Sequence, residues 1–101
     1  MQPWRGNPAM EVTMYEKLDK HSLLVNRMAA SAQVDLAEVL LRGRLSPYAL
    51  RGAIHSCTHC QHVARCEAHL AALPGDGAAR EIPVYCRNKA LFDNLPRTVP
   101  A

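Results

Sequence analysis

The sequence predicts an all-α fold, a small bundle of four to five short helices around a four-cysteine centre, and three observations carry that expectation. The first is the core material: 49% of the 101 residues are hydrophobic but only 5% are aromatic, so aliphatic side chains must fill the interior. They recur at helical rather than alternating spacing. The second is a set of helix-end signals at Asp35, Gly43 and Ser46-Pro47. The third is the placement of all four cysteines, Cys57, Cys60, Cys66 and Cys86, in one stretch with the spacing C-x2-C-x5-C-x19-C. A chain of this length forms one domain with a modest core, to which a bound metal can add much of the stability.

Residues 1–11 contain Pro3, Gly6 and Pro8 with little apolar periodicity and read as a flexible lead-in, with Trp4 available to dock on the body. The domain proper is expected over 12–96, with 97–101 a frayed tail. From about residue 12, Met14, Leu18, Leu24, Val25 and Met28 recur at approximately helical intervals, with Glu16, Lys17, Asp19 and Lys20 for the wet face. That pattern predicts a long amphipathic helix to about residue 30, its methionines serving as core packing. Asp35 is placed to cap a second helix whose apolar stripe is Leu36, Val39 and Leu40, and Gly43 ends it in a left-handed conformation.

Ser46 as N-cap and Pro47 as first helical residue, where its missing N–H costs nothing, open a third helix through Leu50, Ala53, Ile54 and Cys57. Arg42, Arg44 and Arg51 around the link invite a helix-turn-helix reading with phosphate contacts. Nothing marks a recognition helix, and an αα-hairpin with solvated arginines is the commoner architecture and the expectation here. Cys57 continues the buried face of the third helix, and Cys60 falls one turn on. Val63, Cys66, Leu70 and Leu73 then place Cys66 on the apolar stripe of a fourth helical segment, which stops at residues 74–77, Pro-Gly-Asp-Gly. The glycines of that loop lack the spacing of a phosphate-binding loop. Ile82-Pro83-Val84-Tyr85 brings the chain back extended and delivers Cys86 near the start of a last helix, with Leu91, Phe92 and Leu95 apolar and Pro96 ending it.

Charge divides the chain. Residues 1–41 carry four basic and five acidic residues, net −1, and residues 42–101 carry eight and four, net +4, which sum to the overall +3. The cysteine half is the basic half, suited to an acidic partner, nucleic acid or an anionic cluster, although a charge of this size also serves ordinary solubility. The N-terminal stretch shows no apolar signal region and no later stretch approaches a membrane span, so a cytoplasmic protein without membrane attachment is expected. In a reducing compartment clustered thiols serve metal or redox chemistry more often than stable disulfides.

Four cysteines within 30 residues are more than scattered small hydrophobes. Both a zinc ion and an iron–sulfur cluster are satisfied by four thiolates, so ligand type does not choose between them. Structural zinc sites usually pair two C-x2-C turns, often with glycine; here there is one such turn, and no glycine lies between Cys57 and Cys66. Closely spaced ligands with a distant fourth fit the separated corners of a [4Fe–4S] cube somewhat better, and Arg65, Arg87 and Lys89 beside the ligands offset its negative charge. His55, His59, His62 and His69 crowd the same segment. With four cysteines completing the set, their commoner role is in the surroundings of the ligands; for a histidine ligand, His59 or His62 is nearest in sequence. Neither an oxyanion-stabilising loop nor a third orienting residue accompanies a Cys-His pair, so a hydrolytic enzyme is not the expectation.

The combination DLAEVLLRGRLSPYALRGAIHSCTHC, then CEAHL, then PVYCRNKALFDNL resembles a family of short bacterial four-cysteine proteins catalogued as a domain of unknown function. The likeness covers roughly residues 12–95 and is carried by Leu45, Ser46, Pro47, Cys57, Cys60, Cys66, Pro83, Tyr85, Cys86 and Asn88 in order, with His69 standing where a tryptophan is expected. It implies the site and supplies no activity. Separately, C-x2-C-x5-C is similar to the local spacing of WhiB-like iron–sulfur regulators, whose remaining cysteine lies upstream rather than downstream.

The leading expectation is therefore a non-enzymatic protein binding a [4Fe–4S] cluster through Cys57, Cys60, Cys66 and Cys86, for redox or iron sensing or for electron transfer with a redox partner. Two others stand beside it. One is a module stabilised by Zn2+ that binds a protein or nucleic acid; the other is a thiol–disulfide redox protein working through Cys57 and Cys60.

Overall fold

The computed structural model describes residues 8–75 and 78–97, with side chains from residue 17 onward. These residues form α1 (Pro8–Ser31), α2 (Leu36–Leu41), α3 (Pro47–Thr58), α4 (Val63–Ala71) and α5 (Lys89–Asp93), and no strand occurs among them. The fold is all-α, as the sequence predicts. Trp4, the residues before Pro8 and those after Arg97 lie outside the described residues, as do Asp76 and Gly77 in the expected break.

Helix α1 is the spine on which α2, α3 and α4 each pack. It begins at Pro8, a turn before the expected start. Proline at a first helical position has no N–H to leave unpaired. Its buried stripe also differs from the expected one. Leu18 is 44% exposed and Leu23 57%, whereas His21, Leu24, Val25, Met28 and Ala29 are all buried. Those five positions follow the i, i+3, i+4, i+7, i+8 rule, so the inward face starts at a histidine rather than at Leu18. The helix closes when Gln33 enters the left-handed region at φ 63° and the Val34 N–H reaches back 2.9 Å to the Ala29 carbonyl.

Local chemistry then sets the ends of α2 and α3. The Asp35 carboxylate accepts from the N–H groups of Ala37 at 3.0 Å and Glu38 at 3.3 Å. At the other end Gly43 sits at φ 70°, and the Arg44 N–H bonds the Val39 carbonyl at 2.8 Å. A Cβ at Gly43 would meet nothing within 4 Å, so only the backbone conformation resists substitution there. Gly43→Ala is accordingly expected to cost about 1–2 kcal/mol in denaturant unfolding, the left-handed penalty for an L-residue, with no loss of helical signal. The Ser46 hydroxyl accepts from the Ala49 N–H at 3.0 Å, and Pro47 opens α3.

Helices α2 and α3, joined by the short link expected of an αα-hairpin, each also lie on α1, and α2 turns Leu36 and Val39 into the core. Arg42, Arg44 and Arg51 are exposed. After α4, the chain crosses the C-terminal end of α1, where the Arg80 N–H donates to the Ser31 carbonyl at 2.7 Å, and buries Ile82. Helix α5 stops at Asp93, short of the expected end, yet still buries Phe92. Asn88, just before α5 and buried, donates its amide to the Ala53 carbonyl at 2.9 Å and so ties the returning segment to α3. No described helix is long and apolar enough to cross a membrane.

Candidate metal centre

Each cysteine arrives on a different piece of structure. Cys57 lies in the last turn of α3 and Cys66 on the buried face of α4. Cys60 lies in the link after α3 rather than on the helix itself, and Cys86 in the turn before α5. All four nonetheless line one cavity, whose floor is Leu24, Val25 and Met28 of α1 and whose remaining wall includes Tyr85, Arg87, Asn88 and Phe92. The third and fourth helices and the last segment converge as expected. The sequence reading left out α1, which supplies the apolar floor.

The sulfurs are free thiols, with no disulfide among them. Three of the four meet a nitrogen. His21 Nδ1 is 3.3 Å from Cys57 Sγ, the His62 backbone N–H donates to Cys60 Sγ at 3.3 Å, and the Asn88 backbone N–H donates to the Cys86 sulfur. Donors aimed at sulfur stabilise the thiolate form, which is the form that ligates a metal.

Burial works in the opposite direction while no cation is present. It pushes the Cys57 thiol up to about 11, with Cys66, Cys60 and Cys86 adding like-charge repulsion. Cys66 is raised first by burial and then by Cys86, Cys60 and Glu67, with Arg27 opposing. Cys86 is raised by burial and by Cys60 and Asp93, while the Asn88 N–H and Lys89 hold it down. That Cys57, Cys66 and Cys86 are each raised by at least one other cysteine is itself a sign of convergence.

The stability consequence has a definite sign. A thiol whose folded pKa exceeds its unfolded value stabilises the fold fully below the unfolded pKa, and that contribution is lost as pH rises through the folded pKa. Reduced, metal-free protein is therefore expected to lose thermal stability progressively between about pH 9 and pH 11, a window set by Cys57. Thermal melts across that range under argon, against a Cys57→Ala chain in which the decline is smaller, provide the check.

The surroundings are only partly those anticipated. Lys89 is held by Asp93 at 3.1 Å and Glu81 at 3.7 Å but still acts on Cys86. Arg65 lies over the Tyr85 ring, 4.7 Å from its centroid. Arg87 lines the cavity, and Arg27 of α1, which the sequence reading did not single out, favours the Cys66 thiolate. The histidines depart further. His55 and His59 are exposed and pack edge to face at 4.8 Å, while the His62 ring packs against Tyr85 at 5.3 Å. The buried imidazole that meets a cysteine sulfur is His21, remote in sequence. The signal that could have found it is its phase, three, four and seven residues before Leu24, Val25 and Met28.

The donor set suits soft metal chemistry: four thiols, nitrogens against three sulfurs, and largely apolar walls. The spacing is not that of a closed single-ion site. Among the described residues no three His, Cys, Asp or Glu side chains form a group able to hold one ion. A tetrahedral zinc with Zn–S of about 2.3 Å requires sulfurs about 3.8 Å apart, so the thiols would have to draw inward. The cavity volume, about 20 Å3, admits roughly one water-sized sphere. A four-iron cube would therefore require the links bearing Cys60 and Cys86 to swing outward, and both lie outside helices.

A family model described as a family of unknown function (DUF6455) matches residues 12–98, and the chain belongs to that family. No curated protein and no solved structure matches.

Proposed function

We propose that this member of a family without an assigned activity is a small metal-binding protein, and that its four thiols hold a [4Fe–4S] cluster for redox or iron sensing or for electron transfer. The observation that carries the reading is the cavity shared by Cys57, Cys60, Cys66 and Cys86, with N–H groups of His62 and Asn88 donating to two of the sulfurs and His21 against a third. Such hydrogen bonds, with burial and net charge, set the potential of a thiolate-bound cluster. The choice of a cube over a single ion rests on a C-x5-C spacing unlike paired zinc turns.

When bound, the cluster would supply one-electron chemistry. The chain's own part is to present four thiolates from α3, α4 and two links, to keep water off the α1 side with Leu24, Val25 and Met28, and to place Arg27 and Lys89 where they offset thiolate charge. Such a protein would work in a reducing compartment, consistent with free thiols, and would need a redox or protein partner. Protein made and kept without oxygen is expected to be brown, absorbing near 400 nm, with iron and acid-labile sulfide in roughly equal amounts. Colourless protein carrying one tightly held zinc would overturn it.

That last outcome is the second reading, and the small cavity favours it. A single ion would draw the thiols inward without moving the links outward. Chelation would then unfold the domain, because the binding free energy of a structural metal is also folding free energy.

A further inference from the structure

Helix α1 buries a histidine where its repeat calls for an aliphatic residue. His21 is 5% exposed and in phase with Leu24, Val25 and Met28. Burying an imidazole costs free energy unless its nitrogens find partners, so a buried histidine needs an explanation. Its Nδ1 meets Cys57 Sγ at 3.3 Å. A solvent-exposed Lys20–Glu67 ion pair spans α1 to α4 beside it at 3.3 Å.

The direction of the His21–Cys57 hydrogen bond depends on the sulfur. A thiol can give or accept a proton, but a thiolate can only accept. Once Cys57 ligates a metal, the contact can persist as a hydrogen bond only with the imidazole proton on Nδ1, donating to sulfur. We propose that His21 is a positioning residue of the four-cysteine centre, whose Nδ1–H fixes the Cys57 sulfur and raises the reduction potential of the cluster bound there. The inference rests on the [4Fe–4S] reading above. Adding one electron to the oxidised cluster makes and breaks no bond; the negative charge it brings spreads in part onto the ligand sulfurs. An N–H dipole directed at one of them favours the reduced form. His62 and Asn88 donate through the backbone, which no substitution removes cleanly, so His21 is the side chain through which this effect can be tested.

The test compares wild type, His21→Leu and His21→Asn, each loaded anaerobically with ferrous iron and sulfide at one pH. Iron and sulfide per chain are measured, and the midpoint potential is read by titration with dithionite as electron donor. Leucine fills the space without a donor, while the asparagine amide returns an N–H near the Nδ1 position. All three chains are expected to take up the cluster, with His21→Leu shifted to a more negative potential and His21→Asn returning toward wild type. Loading of His21→Asn but not His21→Leu would also support a required donor. Equal potentials in fully loaded wild type and His21→Leu would overturn the inference and leave the cluster reading intact. So would an equal shift in both variants, or failure of both variants to load while each keeps the wild-type helical signal, since the asparagine donor would then not replace the imidazole. A wild-type chain that takes up no cluster removes the underlying reading and this inference with it.

Discussion

Replacing Cys66 with alanine is expected to reduce iron and sulfide uptake by about tenfold or more while leaving the helical signal of the protein unchanged. Cys66 is 9% exposed on the inner face of α4, and its sulfur lines the cavity with those of the other three cysteines. As a packing group it is small, so truncation costs about 1 kcal/mol and the fold persists. As a ligand it supplies one of only four sulfurs that line the cavity, and an alanine side chain offers no donor in its place. The two roles therefore separate cleanly in one variant, with circular dichroism reporting the fold and metal analysis reporting the site. His59→Gln is the matched control. Its ring is exposed and rests on His55, so full loading is expected despite its place in the cysteine-rich segment. If Cys66→Ala retained the wild-type iron content, the four-cysteine assignment would fail.

Where structure depends on neighbours a few residues apart, the sequence was readable. Asp35, Gly43 and Ser46-Pro47 act through hydrogen bonds and backbone angles of their own segments, and each does in the fold what its chemistry requires. Cys57 and Cys66 were likewise placed inward by helical phase alone. What could not be read depends on which helix faces which. A helical stripe gives a face but not its partner, so α1 was not identified as the floor of the cysteine cavity. The expected stripe also ran through Leu18, because counting aliphatic side chains favours a leucine over a histidine even when the histidine has the better phase. The same bias hid the His21–Cys57 contact, which spans 36 residues and two helices. Proximity in sequence pointed instead to His59 and His62, and the former faces away on the surface. The short link between α2 and α3 was legible, but that both helices also pack on α1 was not, because a link fixes sequence neighbours and not the third helix they share.

Metal uptake by the reduced, metal-free chain is expected to depend on pH far more steeply than uptake at a histidine or carboxylate site. A thiol must lose its proton to ligate, so every proton displaced contributes a factor of about ten per pH unit to the apparent affinity. Cys57, Cys66 and Cys86 all have pKa values above the ordinary thiol range, raised chiefly by burial, so all three hold their protons from pH 6 to pH 8. Apparent affinity should therefore rise about 10³-fold or more between pH 6 and pH 7, and again between pH 7 and pH 8. Cobalt(II) is a suitable probe because sulfur-to-cobalt charge-transfer absorption reports thiolate ligation directly, and competition with a chelator of known protonation behaviour gives the slope. The sign follows from the sulfurs alone: raising the pKa of a ligand weakens binding at fixed pH and extends the steep region upward, toward about 11 for Cys57. A slope near one would mean that a single thiol is displaced and that the metal sits elsewhere. A slope of three or more that falls by one in Cys66→Ala would tie the protons to this cavity, since the four thiols interact and removing one removes one displaced proton.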